Sequence, residues 1–128
     1  MTGSSVNRVI FNLIATDVAA TADFYTHLLG LKRHFDSDWY VILVPETGPL
    51  LELGIISSDS EFTPMAAKGV SAGAYPTLVV ADVHAVYSAA KKMDAQIIEA
   101  PKDLPYGQTR MLLQDPNGVI VDISSLTK

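Results

Sequence analysis

Two carboxylates, Glu52 and Asp122, stand 70 positions apart, each inside a run of apolar residues (Leu50 to Ile56 and Val119 to Ile123). A carboxylate in such surroundings can accept hydrogen bonds or a cation from a ligand, share a metal ion with other donors, or act as a general base if burial raises its pKa. Tyr40, Tyr75 and Tyr106 add phenol rings, whose faces stack on flat molecules and attract cations. Trp39, the single tryptophan, is adjacent to Tyr40. Arg110 can bind a ligand carboxylate or simply pair with Asp122. The chain has no cysteine, which excludes disulfides, thiolate metal sites and cysteine nucleophiles.

The elements that position these residues occur twice. Val9–Val18 and Ala74–Val83 are both apolar runs ending in Asp-Val, and both lead into Ala-rich amphipathic segments. Arg110–Ile123 then echoes Tyr40–Leu53 without a gap. Asp17 and Asp82 lie 65 apart, whereas Glu52 and Asp122 lie 70 apart, so the second copy carries five extra residues, assigned to the loop Ala100–Gly107. Two repeats of this size predict a duplicated module with a cleft rather than a solenoid. The modules span 7–56 and 73–125, joined by a Ser/Gly/Ala-rich linker, 57–72.

Each module reads as strand, helix, then three strands. In the first, Asp17 caps a helix over Val18–Leu29, and Gly30 ends it in the left-handed conformation. Strands are predicted over Val9–Ala15, Leu31–Asp36, Trp39–Val44 and Leu50–Ile56. In the second, Asp82 caps a helix with Val83, Val86, Tyr87, Ala90 and Met93 on one stripe, and Asp94 replaces the closing Gly. A strand at Ala95–Glu99 precedes the Pro/Gly loop Pro101–Gly107, a lid candidate carrying Tyr106. Asp115-Pro116-Asn117-Gly118 suits a type I turn with a Gly bulge. That turn pairs Gln114 with Ile120 and Leu112 with Asp122. It puts Met111, Leu113, Val119, Val121 and Ile123 on one face, and Arg110, Leu112, Gln114, Ile120, Asp122 and Ser124 on the other. The fold class is α+β: two βαβββ modules whose mixed faces, brought together, form a central cup. His27, His34 and His84 fall at positions that parity does not point into it. Trp39 is placed opposite Tyr40 and offered as a dimer contact.

With 128 residues and 48% hydrophobic content, the chain can bury one compact core. A net charge of −5 argues against nucleic acid, which needs a basic face. No apolar run is long enough to span a bilayer, and no signal pattern opens the chain, so a cytoplasmic protein is expected.

The segments Asn12–Leu31 and Asp115–Asp122 closely resemble the vicinal oxygen chelate superfamily, which includes glyoxalase I, extradiol dioxygenases, epimerases and bleomycin-type resistance proteins. Phe24-Tyr25 followed by Leu29-Gly30-Leu31, and the terminal Asp115-Pro116 hairpin, carry the likeness. The resemblance implies curved mixed sheets around a cavity, usually in a homodimer. It also implies four metal-ligand points, which fall on Ile10, Glu52, Tyr75 and Asp122. Ile10 cannot ligate and Tyr75 replaces an imidazole; zinc and transition metals lean on His or Cys donors. Two carboxylates alone suit a weak Mg²⁺ or Ca²⁺ site at best.

Two readings follow. The preferred one is a metal-free protein of the resistance type, without cofactor, that sequesters a flat aromatic small molecule, cations included, in a dimer cleft. Its ligand-binding residues are Tyr40, Glu52, Tyr75, Tyr106, Arg110 and Asp122. The alternative is a glyoxalase-, epimerase- or dioxygenase-type enzyme holding Zn²⁺, Ni²⁺, Mn²⁺ or Fe²⁺ at Glu52 and Asp122, with Glu52 as candidate base. Neither reading involves nucleic acid or a membrane.

Overall fold

The computed structural model describes residues 6, 8–47, 51–69 and 71–127, within which the chain forms two compact units. The first gathers the residues up to Thr26 with Gly30–Lys68; the second gathers His27–Leu29 with the chain from Gly69 onward. Leu50, the Gly48-Pro49 part of the connection before it, Asn7 and Val70 lie outside the described residues.

The first unit contains β1 (Phe11–Ala15), all but the last three residues of α1 (Val18–Leu29), β2 (Lys32–Asp36), β3 (Tyr40–Val44) and β4 (Leu53–Ser57). Its sheet order is β1-β4-β3-β2, with β1 parallel to β4 and the other pairs antiparallel. The α1 boundaries are the expected ones because both ends are chemically marked. The Asp17 carboxylate accepts from the Ala20 amide at 3.0 Å, and Gly30 closes the helix at φ 67°. Strand alternation puts Leu13, Ala15, Val41, Leu43, Leu53 and Ile55 on one face, and all six are buried. Burying a large apolar side chain contributes about 1.5–3 kcal/mol, so this face carries much of the unit's stability. The other face presents two rows across β1, β4 and β3: Asn12, Gly54 and Ile42 in one, and Ile14, Ile56 and Tyr40 in the next.

The chain after β4 is tied to this unit. Ser58 donates its amide to Ala15 at 2.9 Å, and the Thr63 hydroxyl donates to the Ser57 carbonyl at 2.6 Å. A short 3₁₀ turn follows at Met65–Ala67.

The second unit repeats the plan with β5 (Thr77–Val79), α2 (Val83–Lys92), β6 (Gln96–Asp103), β7 (Gln108–Gln114) and β8 (Ile120–Leu126). Its order is β5-β8-β7-β6, again with one parallel pair, β5 and β8. Asp82 caps α2 by accepting from the His84 amide, and α2 packs on β6, β7 and β8. Asp94 takes the left-handed conformation expected of the missing glycine, at φ 54°. The turn at Asp115 is the bulged one: Asp115 donates to Val119 at 2.9 Å, Gly118 donates to Asp115 at 3.0 Å, and Gly118 has φ 83°. Gln114 therefore pairs with Ile120 and Leu112 with Asp122. Met111, Leu113, Val119, Val121 and Ile123 are all buried on one face.

Two expectations are corrected here. The long loop at Pro101–Gly107 is mostly strand: β6 runs on through Asp103, and only Leu104–Gly107 turns the chain. Pro101 is tolerated because β6 is the edge strand and its register skips between Glu99 and Lys102. The gap-free match of the last two strands also fails. Asn12 pairs with Gly54, while Thr77, the residue equally far before its helix cap, pairs with Asp122. Likewise Ile42 pairs with Gly54, and Leu112 pairs with Asp122. The second hairpin is two residues shorter, so Asp122 shares its address with Gly54, and Ile120 shares that of Glu52.

Candidate functional site

In the first unit, the mixed face is organised around a strand position with no side chain. Gly54 lies on β4, between β1 and β3. Over it the Tyr40 hydroxyl donates to Asn12 Oδ1 at 2.8 Å. A Cβ on residue 54 would overlap Asn12 Oδ1 and lie 2.8 Å from the Tyr40 hydroxyl. The glycine thus lets a tyrosine reach two strands across the sheet and fixes its ring. Burial raises the pKa of Tyr40 above the ordinary phenol value, and nearby Glu52 adds to this while Arg8 opposes it.

Beside this pair, Arg8 clamps Glu52. Its Nε donates to Oε2 at 2.6 Å and its Nη2 to Oε1 at 2.5 Å, a two-pronged arrangement that matches fork to carboxylate. The Glu52 side chain is only 13% exposed beneath an arginine that is 54% exposed. Hydrogen bonds from Arg8 hold the Glu52 pKa below the ordinary glutamate value; partial burial pulls the other way, and the charges of Arg8 and His34 add to the lowering. A general base working on carbon acids needs the opposite shift. The candidacy of Glu52 as a base with raised pKa is therefore not supported by its surroundings.

The wall of this face is aromatic. Trp39 stacks on Tyr40 with ring centres 5.6 Å apart and 25° between planes, and Phe35 leans on the same tyrosine at 6.2 Å. Phe62 adds a fourth ring, 5.4 Å from Trp39. Arg8, His34, Phe35, Trp39, Tyr40 and Ile42 together line an open concavity of about 400 Å³.

Two sequence-based placements change. His34 does face this concavity, because β2 bulges there: Arg33 pairs with Leu43 and Phe35 with Ile42, leaving His34 as the extra residue. A bulge breaks the period of two on which parity relies. Trp39 is not opposite Tyr40 but stacked against it, since β3 begins only at Tyr40 and Trp39 belongs to the preceding turn. Arg8 and Phe62, which sequence reasoning left out of the site, lie before β1 and after β4, where strand periodicity carries no signal.

In the second unit, the mixed face is polar. Asp122 is 6% exposed; its Oδ2 accepts from the Thr77 hydroxyl at 3.0 Å, while Oδ1 is buried with no partner among the described residues. Ser124 Oγ and Arg110 Nε are likewise buried without partners. Arg110 approaches Glu99 at 3.6 Å, so its ionic partner is Glu99 rather than Asp122. Tyr75, just before β5, and Tyr106, in the Leu104–Gly107 turn, are both exposed. Thus Tyr40 comes together with the Arg8–Glu52 pair in the first unit, and Arg110 shares a sheet face with Asp122 in the second.

The residues do not fit a transition metal. Ile10 has no donor atom, both oxygens of Glu52 are held by Arg8, and the address matching Asp122 in the first module is Gly54. Among the described residues no cluster of three or more His, Asp or Glu side chains could hold an ion.

Comparison with known proteins agrees with the architecture. Among solved structures, the chain is similar to a glyoxalase/bleomycin resistance protein/dioxygenase superfamily member from Sphaerobacter thermophilus DSM 20745 (19% identity, TM-score 0.76), covering 94% of this chain and 98% of that one. It is also similar to TioX from Micromonospora sp. ML1 (17%, TM-score 0.71, covering 95% and 98%). A glyoxalase/bleomycin resistance protein/dioxygenase family enzyme from Burkholderia phytofirmans PsJN matches at 18% identity and TM-score 0.72, covering 91% and 96%. At these identities the likeness speaks for the fold alone. No curated protein matches the chain. The family model matches over residues 6–123, nearly the whole chain, and with its paired βαβββ units the chain belongs to the Glyoxalase/Bleomycin resistance protein/Dioxygenase superfamily.

Proposed function

We propose that this protein binds a flat aromatic small molecule and does so without a metal. The observation that carries the reading is the aromatic wall of Phe35, Trp39 and Tyr40 around an open concavity, with the Tyr40 ring fixed by its bond to Asn12. Rigid aromatic faces give a ligand large contact area at little entropic cost. The donor chemistry supports binding over turnover. Ile10 and Gly54 stand where ligating side chains would be needed, and Glu52 is engaged by Arg8. Sequestration in a homodimer, as in the resistance branch of the superfamily, is the form this binding takes in our reading. No helix among the described residues is long and apolar enough to cross a membrane.

Trp39 provides the test, as the only tryptophan and part of the wall. Saturable change of its emission on titration with flat aromatic probes of several charges is expected, together with loss of that response in Tyr40→Ala. Absence of a saturable response to every probe overturns the reading. So does stoichiometric zinc, nickel, manganese or iron in protein purified without chelators, which transfers the protein to the enzyme class.

A further inference from the structure

The charge of the wall narrows the ligand class, an inference that rests on the aromatic-binding reading above. Of the six residues lining the concavity, four are apolar or aromatic and two, Arg8 and His34, are basic; no acidic residue lines it. This is unusual for a chain with a net charge of −5. The excess of acid acts at long range and is screened within about 8 Å at physiological salt, whereas a side chain on the wall acts at contact. The carboxylate expected to attract a cation, Glu52, lies beneath Arg8 and has both oxygens occupied by it.

Arg8, by contrast, keeps donors to spare. A guanidinium carries five N–H groups in a rigid fork. Glu52 takes one from Nε and one from Nη2, and no acceptor among the described residues takes the Nη1 pair. The side chain is more than half exposed, so these donors face solvent along the rim of the aromatic wall. Glu52 acts here as a positioning residue: a two-point clamp fixes the plane of the guanidinium and directs its free edge outward.

We infer that the ligand is an aromatic acid, its ring lying against Trp39 and Tyr40 and its carboxylate or equivalent anionic group received by the free edge of Arg8, with His34 on the same wall. A cation in that position meets an arginine and no counter-charge. A neutral aromatic gains the stacking but leaves the free Arg8 donors to water.

Three probes sharing one ring system separate the possibilities: 2-naphthoate, 2-naphthamide and 2-naphthylmethylammonium, titrated against Trp39 emission and checked by calorimetry. The expected order places the carboxylate roughly tenfold or more ahead of the amide, the gain of a charge-assisted hydrogen bond, with the ammonium weakest. Arg8→Gln is expected to reduce naphthoate affinity to that of the amide. Circular dichroism and a cooperative urea transition check that the variant is folded, and the carboxylate-to-amide affinity ratio within the variant is the readout. Equal affinity for all three, or preference for the ammonium, overturns the acid assignment while leaving aromatic binding standing. A naphthoate preference that survives Arg8→Gln overturns the role of Arg8. Failure of all three probes to bind overturns both readings together.

Discussion

The Tyr40 hydroxyl donates to Asn12 Oδ1 at 2.8 Å across Gly54, joining the first and third strands of one sheet over the bare backbone of the strand between them. This bond sets the position of the ring on which Trp39 stacks, and so the shape of the wall itself. Gly54 is needed here for space; it is not among the glycines with positive φ.

Gly54→Ala is therefore expected to separate Tyr40 from Asn12. Overpacking of a tight site costs roughly 1–3 kcal/mol, read as a lowered urea midpoint. Trp39 emission should shift in the same variant, because its stacking partner moves. Tyr40→Phe, which keeps the ring and loses only the hydroxyl, should cost about 1 kcal/mol.

The Arg8–Glu52 clamp gives a pH dependence of definite sign. The folded-state pKa of Glu52 is lowered, first by hydrogen bonds from Arg8. Its contribution to stability is then fully present above the ordinary glutamate value, about 4.3, and is lost as pH falls through the lower folded value. The stability gap between wild type and Arg8→Gln should be constant above about pH 5 and close below it. A carboxyl carbon titration by NMR should show the Glu52 midpoint rising in Arg8→Gln.

Asp122 depends on Thr77, its single hydrogen-bonding side chain among the described residues. Thr77→Val keeps the shape and removes the donor, leaving a buried carboxylate without that bond, at an expected cost of roughly 1–3 kcal/mol. Asp122→Asn retains an acceptor for Thr77 and removes the acid, and should cost less than about 1 kcal/mol. Denaturant unfolding of the two variants checks the order.

Asp94 follows α2 at φ 54°, a conformation that glycine adopts without penalty. Asp94→Gly should raise stability by roughly 0.5–1 kcal/mol, measured as an increase in Tm, with ligand binding unaffected.

Much of the fold was legible because its signals are local. Asp17 and Gly30 mark both ends of α1, and Asp115-Pro116-Asn117-Gly118 fixes a turn type and with it the β7–β8 register. What escaped depends on departures from a period or on distant partners. The β2 bulge turns His34 to the face that alternation denies it. Pro101 reads as loop, yet sits in the edge strand β6, where the pairing with β7 skips between Glu99 and Lys102. Arg8 and Phe62 lie outside the strands of the first sheet and join the wall only through long-range contacts with Glu52 and Trp39. Nothing in the local spacing of either residue announces those partners.

The shared address of Gly54 and Asp122 shows how the duplicated halves have diverged. In both copies the polar residue of the leading strand, Asn12 or Thr77, meets a hydrogen-bonding partner. One copy recruits that partner from a strand further away and leaves the middle empty; the other supplies it from the middle directly. Each solution excludes its counterpart, since a side chain at 54 evicts Tyr40 and a glycine at 122 strands Thr77. Residues exchanged singly between the halves should therefore fail where grafts of the whole trio succeed, and the ancestral symmetry survives in the backbone while the two faces have become specialists.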